Sequence, residues 1–178
     1  GRTGSLWVAG PTVLLEYLGQ PAATAAVRRD EWLVTGDRAE VDADGFVHLR
    51  GRADDMELVG GICVSPLEVE AVLCRHPGVM EVAVAGVVDP DGGSRLVAFV
   101  VPVSEAAGRN GLAGELAALG RAELAPYKVP RQVTFVDALP RTPTGKLRRF
   151  VLRSGRWPEG AGDGQAAAQR VAAPKPTR

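Results

Sequence analysis

The chain has 178 residues, 46% of them hydrophobic and 24% charged, with a formal net charge of zero. That is enough for one sizeable core, or for a small domain with part of another. No apolar run approaches a membrane span and no signal-peptide pattern is present, so neither a membrane nor a nucleic-acid partner is expected.

Two cysteines, Cys63 and Cys74, fall in apolar surroundings and form neither a disulfide framework nor a C-x-x-C metal pattern, so a reducing, cytoplasmic setting is expected. Charge is uneven along the chain. Residues 30–57 hold nine Asp or Glu against three Arg, whereas residues 141–156 hold six Lys or Arg and no acid. Such a basic run suggests an anionic partner, although a solvated face is its commoner meaning. The chain opens on Gly rather than Met and in mid-pattern, which is the expectation for a fragment.

In chain order, Gly4 to Ala9 reads as a strand closed by Gly10-Pro11. Pro21 to Arg29 reads as a short Ala-rich helix. Trp32 to Thr35 reads as a strand that ends in Gly36-Asp37. A hairpin follows, Arg38 to Val41 and Phe46 to Arg50, turning at Asp42-Ala43-Asp44-Gly45. These first fifty residues offer little core of their own.

The stretch from Gly51 to Glu70 organises the rest. Gly60-Gly61 joins two short apolar runs, Met56 to Val59 and Ile62 to Ser65, and reads as a tight hairpin turn. Ser65-Pro66-x-Glu68 then opens a helix to His76, with a hydroxyl cap, proline at the first position and a carboxylate near the positive end of the dipole. Leu67, Val69, Val72 and Leu73 are its candidates for burial. Val79 to Val88 and Leu96 to Val103 are apolar strands, the second without alternation and so buried on both faces. Gly111 to Ala125 places Leu112, Leu116, Leu119 and Leu124 at helical spacing. Gln132 to Val136 is a further strand. Pro140 to Lys146 is a turn-rich loop that leads into a short basic helix through Phe150 and Leu152. Gly, Ala, Pro and Gln dominate afterwards, and residues 156–178 read as a disordered tail.

Two short motifs carry chemistry. Asp37, in Thr35-Gly36-Asp37, offers a carboxylate that can accept hydrogen bonds from vicinal sugar hydroxyls. Lys146, in Thr142-x-Thr144-Gly145-Lys146, offers a mobile point charge for phosphate, without the spacing of a Walker loop. Alone, each reads more simply as a turn aspartate and a surface lysine.

Together and in order, six motifs carry more weight. They are Gly10-Pro11, Thr35-Gly36-Asp37, Gly51-Arg52-x-Asp54-Asp55, Gly61-x-x-Val64-Ser65-Pro66-x-Glu68-x-Glu70, Tyr127-Lys128-x-Pro130 and Pro140-Arg141-Thr142-x-Thr144-Gly145-Lys146. From residue 4 to about 155 the chain resembles the acyl-adenylating superfamily of acyl-CoA synthetases, peptide-synthetase adenylation domains and luciferases. Its wording is most similar to benzoate–CoA ligases.

The resemblance implies an α+β fold: a small C-terminal lid domain of mostly β sheet flanked by helices, preceded by strands from the end of a large N-terminal domain. It implies boundaries at 1–53 and 54–155. It implies that a carboxylate, aromatic in the closest branch, is joined to ATP as acyl-AMP and passed to coenzyme A. Lys146 would be the catalytic lysine of adenylation, Asp37 and Arg52 nucleotide-binding residues and Asp54 the hinge. Gly60 and Gly61 would lie beside the coenzyme A tunnel. Mg2+ would accompany ATP on ligands outside this chain, and no metal site is expected within it. The glycine-rich phosphate loop is absent, so the chain by itself is expected to be inactive and to need a missing N-terminal domain. A free-standing lid acting in trans, or an enzyme that loads a carrier protein, are the alternatives.

Overall fold

The computed structural model describes residues 3–88, 92–104 and 111–154, and the backbone of 167–170. The chain divides into two compact units, Gly1–Met56 and Glu57–Arg178.

The first unit is built on one long strand. Its elements are β1 (Gly4–Val8), α1 (Pro21–Val27), β2 (Arg28–Arg29), β3 (Trp32–Val41) and β4 (Val47–Arg52). β3 pairs antiparallel with β1 along one edge and with β2 and β4 along the other. Thr35-Gly36-Asp37 therefore does not end a strand, as the sequence suggests, but lies inside one. The three residues bulge opposite Leu6, since Ser5 pairs with Arg38 and Trp7 with Val34. Gly36 makes the bulge possible with φ +79°. The Thr35 hydroxyl closes it, accepting the Asp37 N–H at 3.0 Å and donating to the Leu6 carbonyl at 2.9 Å. Pairing on both edges carries the strand through a residue that alone reads as a stop.

The Asp42–Gly45 turn forms as expected. Asp42 Oδ1 accepts the N–H groups of Asp44 and Phe46 at 3.0 and 2.9 Å, and Gly45 takes φ +87°. The hydrogen bond from His48, followed by that from the Phe46 amide, holds the Asp42 carboxyl below its ordinary value. Among the described residues of this unit, Ala39 is the buried hydrophobic side chain, while Trp7, Trp32, Phe46 and Leu49 are exposed.

The second unit comprises β5 (Glu57–Val59), β6 (Ile62–Val64), α2 (Pro66–Leu73), β7 (Val79–Val88), β8 (Ser94–Pro102), α3 (Leu112–Glu123), β9 (Gln132–Phe135), α4 (Arg149–Ser154) and β10 (Ala167–Arg170). β7 and β8 are antiparallel, whereas β8 and β9 are parallel, and the crossover between them carries α3. Alternate residues of these strands feed two cores. Val84, Leu96, Ala98, Val100 and Val133 pack with Val69 and Leu73 of α2 and Leu112 and Leu116 of α3. Ala83, Ala85, Val97, Phe99 and Val101 pack on the other face with Leu139 and Leu152 of α4. The unbroken apolar run of β8 is thus explained by burial on both faces. The mixed α+β architecture, mostly sheet with few helices, agrees with expectation.

Some local expectations are corrected. Ser65 stands at the N-cap of α2 in extended conformation but makes no side-chain cap hydrogen bond. Leu67 is exposed, because it shares the outer face of α2 with Glu68. Both cysteines are exposed. The reading of 156–178 as disordered meets a strand at Ala167–Arg170, which pairs antiparallel with β9. An unpaired strand edge is a template for any extended segment within reach, even one of low-complexity composition. The remainder of that stretch lies outside the described residues.

Candidate functional site

In the first unit, β3 and β4 bring Asp37 and Arg52 opposite each other as a register pair. The Arg52 guanidinium reaches further than its partner strand. Its Nε donates to Asp54 Oδ1 at 2.8 Å, its Nη1 donates to the Thr35 carbonyl at 3.4 Å, and Nη1 lies 3.6 Å from Asp37 Oδ1. The hydrogen bond and charge of Asp54, with smaller contributions from Asp37 and Asp55, hold Arg52 above its ordinary value. Asp37, Arg52 and Asp54 thus form one cluster at the end of β4. Asp54 lies in the turn after β4, two residues before the boundary of the compact units at Met56.

Gly36 sits beneath this cluster. A Cβ there would come within 2.9 Å of Arg52 Nη2, on a backbone already at φ +79°. Gly36→Ala is expected to cost the first unit about 1–2 kcal/mol and to turn Arg52 away from Asp54. Hydrogen exchange of the β3 amides checks this; unchanged exchange would mean the bulge accepts a side chain.

In the second unit, Lys146 stands on a closed loop before α4. Arg141 and Leu147 bridge its mouth. The Thr142 N–H donates to the Lys146 carbonyl at 2.8 Å, the Gly145 N–H to the Thr142 carbonyl at 2.8 Å, and the Lys146 N–H to Thr142 Oγ1 at 3.0 Å. Gly145 takes φ +81° to make the turn. The Lys146 side chain is exposed, and no hydrogen bond or ion pair holds its ammonium among the described residues. It is a cation on a shaped loop, available to an anion.

Gly60 and Gly61 form the β5–β6 turn, with φ +56° and +82°. Two positive values in succession are the geometry of a type I′ hairpin turn. Open space surrounds the position of a Cβ at either glycine. Beside them lies a groove of about 760 Å³, lined by Val59, Gly60, Leu96, Tyr127 and Val129 among others, with Arg121 and Arg131 at its walls. Apolar walls with two arginines among the lining residues suit a ligand with an apolar body and an anionic group. Among the described residues, no group of three or more His, Cys, Asp or Glu is arranged to hold a metal ion.

Residues 68–146 match the family described as AMP-binding enzyme C-terminal domain. Over those residues the chain is similar to that family. It is 43% identical over 154 residues to the benzoate–CoA ligase of Thauera aromatica, an alignment that covers 86% of this chain and 29% of that protein. It is 45% identical over 153 residues to a feruloyl-CoA synthase of Amycolatopsis sp., covering 86% and 30%. Among solved structures it is similar to the amide bond synthetase McbA from Marinactinospora thermotolerans, with TM-score 0.79, 39% identity and coverage of 87% of this chain and 31% of that one. The anthranilate CoA ligase AuaEII, solved in complex with anthranoyl-AMP, has TM-score 0.76, 40% identity and coverage of 87% and 30%. The chain therefore spans about 30% of the length of the curated relatives it matches.

In the second unit, sequence reasoning missed the residues that carry the Lys146 loop. Three cations of the basic stretch are used internally: Arg141 on Glu81, Arg149 on Glu70 and Arg153 on Glu57. The stretch is thus only in part a surface for an anionic partner; Lys146 and Arg148 remain of its described cations, and Arg148 lies over the Phe150 ring at 4.9 Å. Glu68 and Lys128, from two different motifs, pair at 2.6 Å. For this last pair the available signal was the presence of opposite charges inside the motifs themselves.

Proposed function

We propose that this chain supplies the C-terminal portion of an ATP-dependent carboxylate–CoA ligase, with an aromatic acid as its acyl substrate. The whole protein would then use ATP and coenzyme A. The support comes from relatives named benzoate–CoA ligase, feruloyl-CoA synthase and 3-hydroxybenzoate–CoA ligase at 41–45% identity. The single observation that carries the reading is the Lys146 ammonium: exposed, without a partner among the described residues, and held on a closed loop within the matched domain.

Each unit, taken by itself, offers groups of the chemistry that an adenine nucleotide requires. Asp37 offers a carboxylate beside Arg52 for ribose hydroxyls, and Lys146 offers a point charge for a phosphate. Adenylation builds negative charge around phosphorus, which a positioned cation stabilises. Asp54, in the turn before the unit boundary, is the hinge in this reading. The open surroundings of Gly60 and Gly61 leave room for the narrow pantetheine arm of coenzyme A to pass close to backbone, and the adjoining groove offers Arg121 and Arg131 to its phosphates.

McbA favours one alternative, an amine as the acyl acceptor. The test is a hybrid in which this chain replaces the matching segment of the Thauera benzoate–CoA ligase, assayed with benzoate, ATP and either coenzyme A or an amine. Thioester formation supports the reading, and amide formation alone favours the alternative. A folded hybrid that makes neither acyl-AMP nor product overturns both.

A further inference from the structure

We infer that Arg141 is a positioning residue for Lys146, tying the peptide that carries the lysine to strand β7. Its Nη1 donates to the Gly145 carbonyl at 2.8 Å, and its Nη2 donates to Glu81 Oε2 at 2.5 Å. The Gly145 carbonyl belongs to the planar peptide linking Gly145 to Lys146. Gripping that oxygen fixes the plane from which the lysine departs. The other end of the grip is firm, because Glu81 stands on β7 just before Ala83, Val84 and Ala85, which are fully buried.

The bonds inside the loop do a different job. Those among Thr142, Gly145 and Lys146 fix its shape but leave its orientation against the sheet open. Leu147 packs on the second core, and Arg149 holds the exit from the loop. Of these anchors, Arg141 bonds directly to the peptide before Lys146. An arginine suits the position because its rigid fork can serve two acceptors in fixed relation, which a single ammonium on a flexible stem cannot. Arg141 and Glu81 are 46% and 40% exposed, so the pair adds little to global stability. Its effect is local order around the lysine.

The inference rests on the reading of Lys146 as the adenylating lysine, and its test separates the two. In the full 178-residue chain, Arg141→Lys and Glu81→Gln are examined by residue-resolved amide hydrogen exchange and thermal melting. Exchange at Gly145 and Lys146 is expected to quicken about tenfold, as for loss of a charge-assisted hydrogen bond. The melting temperature and the β8 amides should stay as in the parent. Unchanged exchange at Gly145 and Lys146 would overturn the assignment, and so would equal acceleration throughout β7 and β8, which would mark a purely structural pair. In the hybrid ligase, Arg141→Lys should slow acyl-AMP formation up to about a hundredfold, through misplacement of a reacting group. The KM for ATP and the conversion of preformed acyl-AMP to thioester should change little. Equal losses in both half-reactions would also overturn it. If Lys146→Ala leaves acyl-AMP formation intact, the functional reading fails, while the exchange data still decide whether Arg141 orders the loop.

Discussion

Lys146→Ala in the hybrid ligase is expected to slow acyl-AMP formation roughly a hundred- to a thousandfold, the usual loss when one group that stabilises transition-state charge is removed. Conversion of preformed acyl-AMP to thioester should survive, because in the proposed reading Lys146 has by then left the cleft by rotation about Asp54. The substitution removes an exposed side chain without a partner, so the fold should be untouched. Gly61→Leu is expected to do the reverse, blocking thioester formation while sparing adenylation. Nothing lies within 4 Å of a Cβ built at Gly61, so the added bulk would obstruct a ligand rather than the protein. Its φ of +82° strains any other side chain. Gly61→Asn provides the control, since asparagine tolerates that region with less bulk at its branch. Pyrophosphate exchange and single-turnover conversion of acyl-AMP separate the two steps. Equal losses in both steps for both variants would mean that these residues only support the fold.

What the sequence disclosed was mostly what local chemistry dictates. Two adjacent glycines between apolar runs leave few choices but a positive-φ turn, and Gly60-Gly61 takes it. An apolar run without alternation, from Leu96 onwards, needs cover on both faces and has it. Long-range pairing was the hidden part. Gly36 looks like a strand end because the edge strands that carry β3 through it are remote or still to come. The basic stretch looks like a binding surface because charge is visible in sequence and partners are not. Arg141, Arg149 and Arg153 meet carboxylates 60, 79 and 96 residues away. Lys146 was legible for the opposite reason: its motif is local, and the fold leaves its side chain unpaired among the described residues.

Arg149→Met is expected to destabilise the second unit by about 3–5 kcal/mol, the cost of leaving one charge of a buried pair alone. Arg149 and Glu70 are 11% and 12% exposed. The guanidinium is bidentate, with Nη1 donating to Glu70 Oε1 at 2.5 Å and Nη2 to Oε2 at 3.0 Å. The same two side chains also serve the backbone of β7. Glu70 Oε1 accepts the Val84 N–H at 2.7 Å, and Arg149 Nη1 donates to the Val84 carbonyl at 2.8 Å. Among the described residues β7 is an outer strand of its sheet, with β8 on its other side, so these groups have no ladder partner there and would otherwise be left without one beneath α2 and α4. The pair therefore closes a buried sheet edge. For a unit of this size the melting temperature should fall by more than about 10 °C. Arg153→Met should cost less, because that arginine is 33% exposed and water can replace part of its contact. Replacing Arg149 and Glu70 together by methionine should recover part of the loss, since an apolar pair leaves no lone charge. It should still fall short of the parent, because the Val84 amide then lacks its acceptor, a deficit of about 1–3 kcal/mol. Urea denaturation followed by circular dichroism measures all four proteins. A single-variant loss below about 1 kcal/mol would place the pair with solvent-screened surface bridges, and the edge-closing account would be wrong.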